Sequence, residues 1–545
     1  MTKTNTSENH LTKRQALLRE AVKENISPVD LKRRWLILIT LCGSLLVVML
    51  ANSALNLALP SIAVSMNATS GDLNWIVETY SLLFAGLLFT AGAVGDRYGR
   101  KIIMQIGLLI FLVASLYAAF VAGNSTELII MRGLMGVGGA MVMPTTLSIL
   151  NVTFPSSQRT KAVAIWGAVA GAGVIVGSIV SGFLLEHFEW ESVFIFAAIV
   201  AAIVLITNQL LTRESKDPEE TKVDWLGGLL STVGLGALVF GLMESSHAEG
   251  WANPIVWVAL AASVVFLTGF VFWQRHTDHP MLDMELFKSR RFTVAVIAIT
   301  LAFFAINGIL FVMSQVFQLI LGYTPLEGAL AMLPIIAVLA IFAPIAPNMM
   351  KWVGEKRTLL LGVVMLGAGF FTATLWPTEV GYWNIWLTMV LVLGGMQFSS
   401  TPATNMILDS VPKNRSGMAA AMNDTTRELG GALGIAILGS IMVSSYNEDV
   451  QNKLNTITNL PAAARSSLED SLAVALRAIQ TLAEKGLDLT DLVPTFKEYW
   501  LNGLNDAMSV ALWACAATAF IVIFGLKSKK RKRDIVIVEE DAQKN

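Results

Sequence analysis

The chain has 545 residues, of which 54% are hydrophobic and 14% are charged, and its mean hydropathy is +0.62. Soluble proteins carry roughly 25% charged residues, so this composition excludes an ordinary soluble domain and indicates a protein built for lipid. The net charge of −1 gives no basis for a nucleic-acid partner. Cys42 and Cys515 both lie in apolar runs, where we expect packing residues rather than a disulfide or a metal pair.

Apolar runs predict fourteen membrane spans, since one span needs about 20 apolar residues. The first 34 residues are polar and charged, so we expect no cleavable signal peptide. Six predicted spans lie near 35–58, 73–94, 102–122, 127–150, 161–185 and 192–211. Two follow near 225–243 and 254–273, and the last six lie near 293–321, 327–349, 358–376, 384–408, 417–445 and 504–526.

Positive charge alternates between the predicted loops. Lysine and arginine occur at 31–35, 96–101, 159–161, 213–222, 275–291, 351–357, 413–415 and 527–533. The short loops between these regions contain no lysine or arginine but hold acidic residues, namely Asp72, Glu127, Glu186, Glu189, Glu244, Glu249 and Glu379. By the positive-inside rule, both termini are predicted to be cytoplasmic.

The loop at 446–503 is long enough to escape that rule. An amphipathic helix is predicted within it from the spacing of Leu468, Leu472, Leu476, Ile479 and Leu482. This helix either forms an external cap or lies on the membrane surface.

An internal repeat divides the chain. DRYGRKIIMQIG (96–107) and KWVGEKRTLLLG (351–362) share Gly, Lys and Gly at the same three places. Duplicated halves are common in secondary transporters. The predicted units are a cytoplasmic tail at 1–34, a six-helix bundle at 35–212, two inserted helices with linkers at 213–291, a second six-helix bundle at 292–526 that includes the external loop, and a cytoplasmic tail at 527–545.

Several motifs resemble one family. GAVGDRYGRK (92–101) resembles the loop 2–3 signature of the major facilitator superfamily, and fourteen spans resemble its drug:proton antiporter family of multidrug and antiseptic efflux pumps. Supporting stretches are LNLALPSIA (55–63), NWIVETYSLLFAG (74–86), IMRGLMGVGGAMVMPTTL (130–147) and TTRELGGALGIAILGS (425–440). The resemblance implies an all-α polytopic membrane protein with the major facilitator fold: two six-helix bundles plus two inserted central helices.

The sequence departs from the family pattern at two places. Ala51 stands where the family often has an aspartate in span 1, which removes a common proton or cation group. The span 5 antiporter motif, usually Gly-Pro-x-x-Gly-Gly, reads GSIVSG at 177–182 but keeps small residues for close packing.

The loop at 96–101 predicts a tight turn with a conformational latch formed by Asp96, Arg97, Gly99 and Arg100. Gly99 permits a positive φ. Asp96 is suited to face an arginine or a neighbouring helix N-terminus. The alternative is positive charge that only sets topology.

Two ionisable residues lie about one turn inside the external ends of spans 2 and 4. Glu78 and Arg132 either snorkel separately to the interface or form an ion pair. The resemblance ties Arg132 to proton coupling and places an acid at the Glu78 position in antiseptic pumps.

Span 13 contains three charges, although a charge at mid-bilayer costs at least about 2.5 kcal/mol. Asp424 and Glu428 lie on one helix face, with Arg427 three residues after Asp424. They lie roughly 13 and 20 Å beyond Arg415, too deep to reach water through lipid. The two interpretations are a proton-coupling site, in which we favour Asp424 as the cycling acid, and a structural cluster that holds helices together.

Polar and aromatic residues within the spans are candidate substrate-binding walls, because aromatic faces attract organic cations. The alternative is that they face lipid or pack in the core. The candidates are Asn52, Asn56, Tyr80, Trp166, Phe303, Phe304, Asn307, Gln315 and Gln318.

The sequence has no Walker-type phosphate loop, nucleophile elbow or HExxH motif. We therefore expect neither an enzyme nor direct use of ATP, and no cofactor or metal; the proton gradient is the expected driving force. The predicted function is proton-coupled efflux of hydrophobic, cationic drugs or antiseptics across the bacterial cytoplasmic membrane by alternating access. Expected partners are substrates, protons and membrane lipids, and we expect a monomer. Alternatives are export of a lipid or an endogenous metabolite, and a non-transporting sensor or assembly protein.

Overall fold

A computed structural model of the chain describes residues 13–24, 26–216, 223–245, 250–377, 379–457, 465, 468–469, 472–484 and 489–526. The predicted tail at 527–545 lies outside these residues, as do the side chains of Asn52 and Asn56. Every regular element within the described ranges is helical.

The first half contains eight α-helices and the inserted segment contains two. They are α1 (Lys13–Lys23), α2 (Pro28–Ser53), α3 (Leu55–Met66), α4 (Ser70–Tyr98), α5 (Arg100–Phe120), α6 (Ser125–Thr153), α7 (Ser156–His187), α8 (Glu191–Leu211), α9 (Trp225–Glu244) and α10 (Pro254–Gln274).

The second half contains eight more. They are α11 (Arg290–Gln315), which continues into a π-helical turn (Val316–Ile320), α12 (Pro325–Ala331), α13 (Leu333–Val353), α14 (Glu355–Thr374), α15 (Tyr382–Asp409), α16 (Ser416–Leu454), α17 (Leu472–Glu484) and α18 (Leu492–Gly525).

Thirteen helical segments of the described chain are long and apolar enough to cross a membrane. They coincide with thirteen of the fourteen predicted spans. The remaining predicted span, near 384–408, is α15, which has 28 residues but is not among the thirteen. Its sequence is more polar because it carries buried side chains that include Gln397, Ser399, Thr401, Thr404 and Asn405.

The first predicted span is longer than expected and is divided. It begins at Pro28, which suits the first turn of a helix because it needs no amide donor there. It is interrupted at Ala54, between α2 and α3. The predicted start near 35 was too late because the basic residues before Trp35 belong to the helix.

The internal repeat is visible in the backbone. Gly99 has φ +122° and Gly354 has φ +89°, and each precedes the next helix of its half. Gly107 lets α5 approach α6, where a Cβ would lie 2.7 Å from the Gly138 carbonyl. In the second half, a Cβ on Gly395 of α15 would lie 2.7 Å from the Gly362 carbonyl of α14. Equivalent helix pairs in the two halves therefore pack by the same close approach.

The inserted helices pack beside the contact between α4 of the first half and α16 of the second half. α9 packs against α10 and α4 and also reaches α16. The Thr90 hydroxyl donates to the Gly228 carbonyl at 3.4 Å, and the Trp251 indole donates to the Ser440 hydroxyl at 2.8 Å. The two halves also meet where α7 packs against α13.

The external loop is shorter than predicted because its flanking helices continue. α16 extends to Leu454 with Tyr446 and Val450 buried, and α18 begins at Leu492. α17 lies between them, and its buried Leu472 and Ile479 join the same core cluster. The apolar face of this amphipathic helix therefore packs against protein.

The core is continuous across both halves at one end of the bundle, where Leu147 of α6 and Ala420 of α16 share a cluster. We call this the latch end, because residues 96–101 and 413–418 lie there.

Candidate coupling and gating site

Asp96 joins the two halves at the latch end. Its carboxylate accepts a hydrogen bond from Arg100 Nε at 2.8 Å and one from the Met418 amide at 3.2 Å. The Gly417 amide donates a bifurcated hydrogen bond to its two oxygens, at 2.8 and 2.9 Å. These amides belong to the first turn of α16, whose dipole favours a negative charge. Asp96 thus has both predicted kinds of partner at once.

Arg100 extends the latch beyond Asp96. Its Nη2 donates to the Asn414 carbonyl at 2.8 Å and to the Lys413 carbonyl at 3.2 Å. Gly99 supplies the turn before Arg100, and its positive φ confirms the predicted need for glycine. Arg97, the fourth predicted member, is half-buried, while the guanidinium that contacts Asp96 is that of Arg100.

Close helix approach supports the same contact. A Cβ on Gly92 would lie 2.7 Å from the Gly417 carbonyl. Only glycine lets α4 and α16 come near enough for the carboxylate to reach the amides.

Arg132 is buried among backbone carbonyls. Its Nε donates to the Ile76 carbonyl at 3.1 Å, and its Nη1 donates to the Ala51 carbonyl at 3.0 Å. Its guanidinium lies 4.4 Å from the centre of the Tyr80 ring. The Arg132 guanidinium is thus directed at these carbonyls, and Glu78 is itself buried. The Glu78–Arg132 ion pair stays a prediction.

The interrupted first span receives three side-chain donors from three different helices. Besides Arg132, the Tyr80 hydroxyl donates to the Val48 carbonyl at 2.9 Å, and the Ser181 hydroxyl donates to the Ala54 carbonyl at 2.6 Å. Ser181 belongs to the divergent GSIVSG motif. Its hydroxyl therefore supports the break in span 1, a role that the motif alone did not indicate.

Asp424 is 0% exposed, and only one of its two carboxylate oxygens has a hydrogen-bond partner among the described residues. Its Oδ1 accepts a hydrogen bond from Asn423 Nδ2 at 2.9 Å and lies 3.8 Å from Arg427 Nη1. Its Oδ2 has no hydrogen-bond partner among the described residues. Asn423 is held in turn by the Thr404 hydroxyl of α15 at 2.8 Å. A buried carboxylate with an open oxygen is suited to binding a proton.

Arg427 lies between two aromatic rings. Its guanidinium is 4.6 Å from the centre of the Trp166 ring on α7 and 4.3 Å from that of the Phe303 ring on α11. It therefore bridges the halves by cation–π contacts while its Nη1 lies 3.8 Å from Asp424 Oδ1. Glu428, the residue after Arg427 on the same helix, is half-buried.

The candidate substrate-binding residues have different surroundings. Tyr80 and Trp166 are buried, and each has an arginine guanidinium against its ring in this conformation. Their role as substrate-binding walls stays a prediction. Phe304 is buried where Gly434 of α16 packs against its carbonyl. Asn307 donates to the Phe303 carbonyl at 3.1 Å and is half-buried, as is Gln315 beside the π-helical turn.

Sequence reasoning missed an ion network around Glu24, at the end of α1. Glu24 contacts Lys413 Nζ at 2.7 Å and Arg159 Nη2 at 3.4 Å, and it accepts a hydrogen bond from the Ser156 amide at 3.2 Å. Burial alone would raise the pKa of Glu24, but the hydrogen bonds from Lys413 and Ser156 outweigh it and hold that pKa below the ordinary 4.5. The four-residue spacing of Glu20 and Glu24 on one face of α1 was the available signal.

Together these features define a class of protein. Two repeated halves of membrane helices, a charged latch between them and a buried acid at their interface are the attributes of an alternating-access membrane transporter. The described residues contain no cluster of histidine, cysteine or acidic side chains that could hold a metal ion.

The chain belongs to the Major Facilitator Superfamily, whose sequence profile matches residues 41–435. It is therefore a transporter rather than an enzyme. It is 34% identical to "Multidrug efflux pump LfrA" of Mycolicibacterium smegmatis, over 90% of this chain and 96% of that one. It is 27% identical to "Methyl viologen resistance protein SmvA" of Salmonella typhimurium, over 84% of this chain and 92% of that one. The crystal structure of the human organic anion transporter TETRAN shares the fold with a TM-score of 0.58, at 14% identity, over 91% and 100% of the two chains.

Proposed function

We propose that this protein exports hydrophobic, cationic drugs or antiseptics across a bacterial cytoplasmic membrane in exchange for protons. The observation that carries the proposal is the buried Asp424 carboxylate, with Oδ2 open and Arg427 Nη1 3.8 Å from Oδ1. The names of LfrA and SmvA support drug efflux.

The proposed topology has fourteen spans, with α15 as the twelfth, and both termini in the cytoplasm. α15 packs between membrane helices α11, α13 and α14, which gives its polar residues protein neighbours instead of lipid. The latch end carries Arg100, Lys101 and Lys413, so the positive-inside rule supports a cytoplasmic location for it.

Coupling follows from the cost of a buried charge. An ionised Asp424 must be matched by a cation, or else the carboxyl must bind a proton. A proton and a substrate cation therefore compete for the same group. Proton entry from outside neutralises Asp424 and releases the substrate; proton loss to the cytoplasm restores the charge that attracts the next cation.

The Arg427 contacts support a planar cation as substrate. A guanidinium is flat and delocalised, and the two rings that hold it come from opposite halves. We infer that a planar organic cation occupies the space between Trp166 and Phe303 when Arg427 moves out of it. Methyl viologen, after which SmvA is named, is a flat dication, which agrees with this class.

The test uses proteoliposomes with an imposed pH gradient and ethidium as the planar cation. Wild-type protein is expected to exchange ethidium for protons, and D424N is expected to lose gradient-driven transport. D278N, at an exposed loop aspartate, is the control and should transport normally. Wild-type exchange by D424N would exclude the coupling role, whereas gradient-driven movement of a labelled lipid but not of ethidium would favour lipid export.

A further inference from the structure

A groove of about 340 Å³ lies on the outside of the second half, between the start of α11 and the end of α18. Its walls are apolar and aromatic: Phe287, Val294, Ile297, Phe520 and Phe524. Both helices are membrane spans, so the groove faces lipid. The Phe520 and Phe524 side chains are 62% and 67% exposed.

Gly525 shapes the floor of the groove. A Cβ at this position would lie 2.7 Å from Val294 Cγ2, so glycine lets the end of α18 approach α11. The Lys356 ammonium group donates to the carbonyls of Ile523 at 2.6 Å and Leu526 at 2.5 Å. These bonds satisfy the last turn of α18 and fix where the helix ends.

The two consecutive arginines that begin α11, Arg290 and Arg291, have different environments. Arg291 donates to Glu355 at 2.9 Å and lies 3.6 Å from Asp409. Arg290 lines the groove, is exposed, and has no ion pair or hydrogen bond with any side chain in the described part of the chain. An arginine without an acidic partner at the edge of a lipid-facing groove is suited to a phosphate, which its planar fork binds well.

Further positive charge follows α18 in the sequence. The sequence that follows Leu526 is KSKKRKR (527–533). Basic residues next to a membrane span attract anionic lipids to the cytoplasmic surface. The local lipid near Arg290 is therefore expected to be rich in negatively charged headgroups.

We propose that this groove is a binding site for an anionic phospholipid. Its phosphate lies on Arg290, and one acyl chain lies along the apolar wall formed by Ile297, Phe520 and Phe524. The groove has an apolar, lipid-facing wall and one unpaired cation, Arg290, at its mouth. This combination complements an anionic amphiphile. The site is separate from the Asp424 region and does not depend on what the protein exports.

The experiment measures lipids retained by the full-length protein in native mass spectrometry, after exposure to an equimolar mixture of phosphatidylglycerol and phosphatidylcholine. The wild type is expected to retain phosphatidylglycerol in preference by about fivefold, the effect of one basic group near a headgroup. R290Q should lose this preference. K288Q is the matched control, because Lys288 is exposed on the same loop but pairs with Glu285 outside the groove.

I297W fills the groove while leaving Arg290 in place, and should reduce retention of both lipids. If I297W fails to fold, R290Q against K288Q decides the question alone. Equal retention of the two lipids by the wild type, or an unchanged preference in R290Q, would overturn the proposal. The proposal would also be overturned if inorganic phosphate alone stabilised the wild type as well as phosphatidylglycerol does. An increase in lipid retention on deletion of residues 534–545 would overturn it too, because the tail would then be the occupant of the groove.

Discussion

The Asp96 carboxylate accepts a bifurcated hydrogen bond from the Gly417 amide, with N···O distances of 2.8 and 2.9 Å, although the residues lie 321 positions apart in the chain. One residue ends the second span of the first half, and the other begins α16 of the second half. The halves cannot separate at the latch end without breaking these bonds, so the observed conformation is closed there.

We expect D96N to loosen the latch. The amide keeps one acceptor oxygen but loses the charge that faces Arg100 and the α16 dipole. Hydrogen bonds to charged groups contribute about 1.5–3 kcal/mol, so amide exchange at residues 413–418 should accelerate about tenfold or more. Hydrogen exchange with mass spectrometry measures this.

The control for the latch is D72N, which removes a carboxylate at the opposite end of the same helix. Asp72 accepts a hydrogen bond from the Thr69 amide at 2.9 Å, a local contact within the first half. It should leave exchange at 413–418 unchanged. Unchanged exchange in D96N as well would show that the latch bonds do not hold the halves.

Asp424 and Arg427 should be energetically coupled despite their 3.8 Å separation. R427Q leaves a buried acid without its nearby cation, a change that costs about 3–5 kcal/mol when the acid is ionised. D424N keeps the guanidinium between its rings and should cost less. D424N/R427Q should therefore be more stable than R427Q alone. Thermal unfolding of all four proteins in detergent measures the cycle, and strictly additive losses would contradict coupling.

The latch was predictable because its chemistry is local. An acid followed four residues later by an arginine, with glycine between them, indicates a turn and a pairing partner directly in the sequence. The Gly417 partner followed from helix-dipole chemistry, although the sequence did not identify which helix would supply it.

The Arg132 contacts were not predictable for a physical reason. Its acceptors are backbone carbonyls of Ile76 and Ala51, and every residue has a carbonyl. Only the packing of α4 and α6 against the divided first span brings those two within reach. Likewise, the stacking of Arg427 needs Trp166 and Phe303, which are far apart in sequence and belong to different halves.

Of Gly99, Gly354 and Gly123, we expect Gly99 to be the one whose replacement by alanine destabilises the protein most. Its φ is +122°, which strains an L-residue, and a Cβ would lie 2.6 Å from the Glu214 carboxyl carbon. Gly354 has φ +89° but open space around it, and Gly123 has open space and no positive φ. We expect G99A to destabilise most, G354A by about 1–3 kcal/mol, and G123A by less than about 0.5 kcal/mol.

Unfolding temperatures of the three alanine variants test this order. The comparison separates backbone strain from steric conflict, because only Gly99 combines both. Equal losses for G99A and G354A would show that the Glu214 side chain simply moves aside.

Glu24 should make the latch end sensitive to acid. Its folded pKa lies below the ordinary 4.5, so its contribution to stability is complete above that value and is lost as the pH falls through the lowered pKa. E24Q should therefore lower the unfolding temperature at pH 7, and the difference from wild type should shrink as the solution is acidified below about pH 4.5.

K413Q removes the same ion pair, so the unfolding temperature of E24Q/K413Q should lie little below that of either single variant. E189Q, at an exposed acid far from this network, is the control and should track the wild type at every pH. A pH-independent loss in E24Q would mean that the side chain acts by packing rather than by its charge, and would remove Glu24 from the contacts that hold α1 to the start of α16.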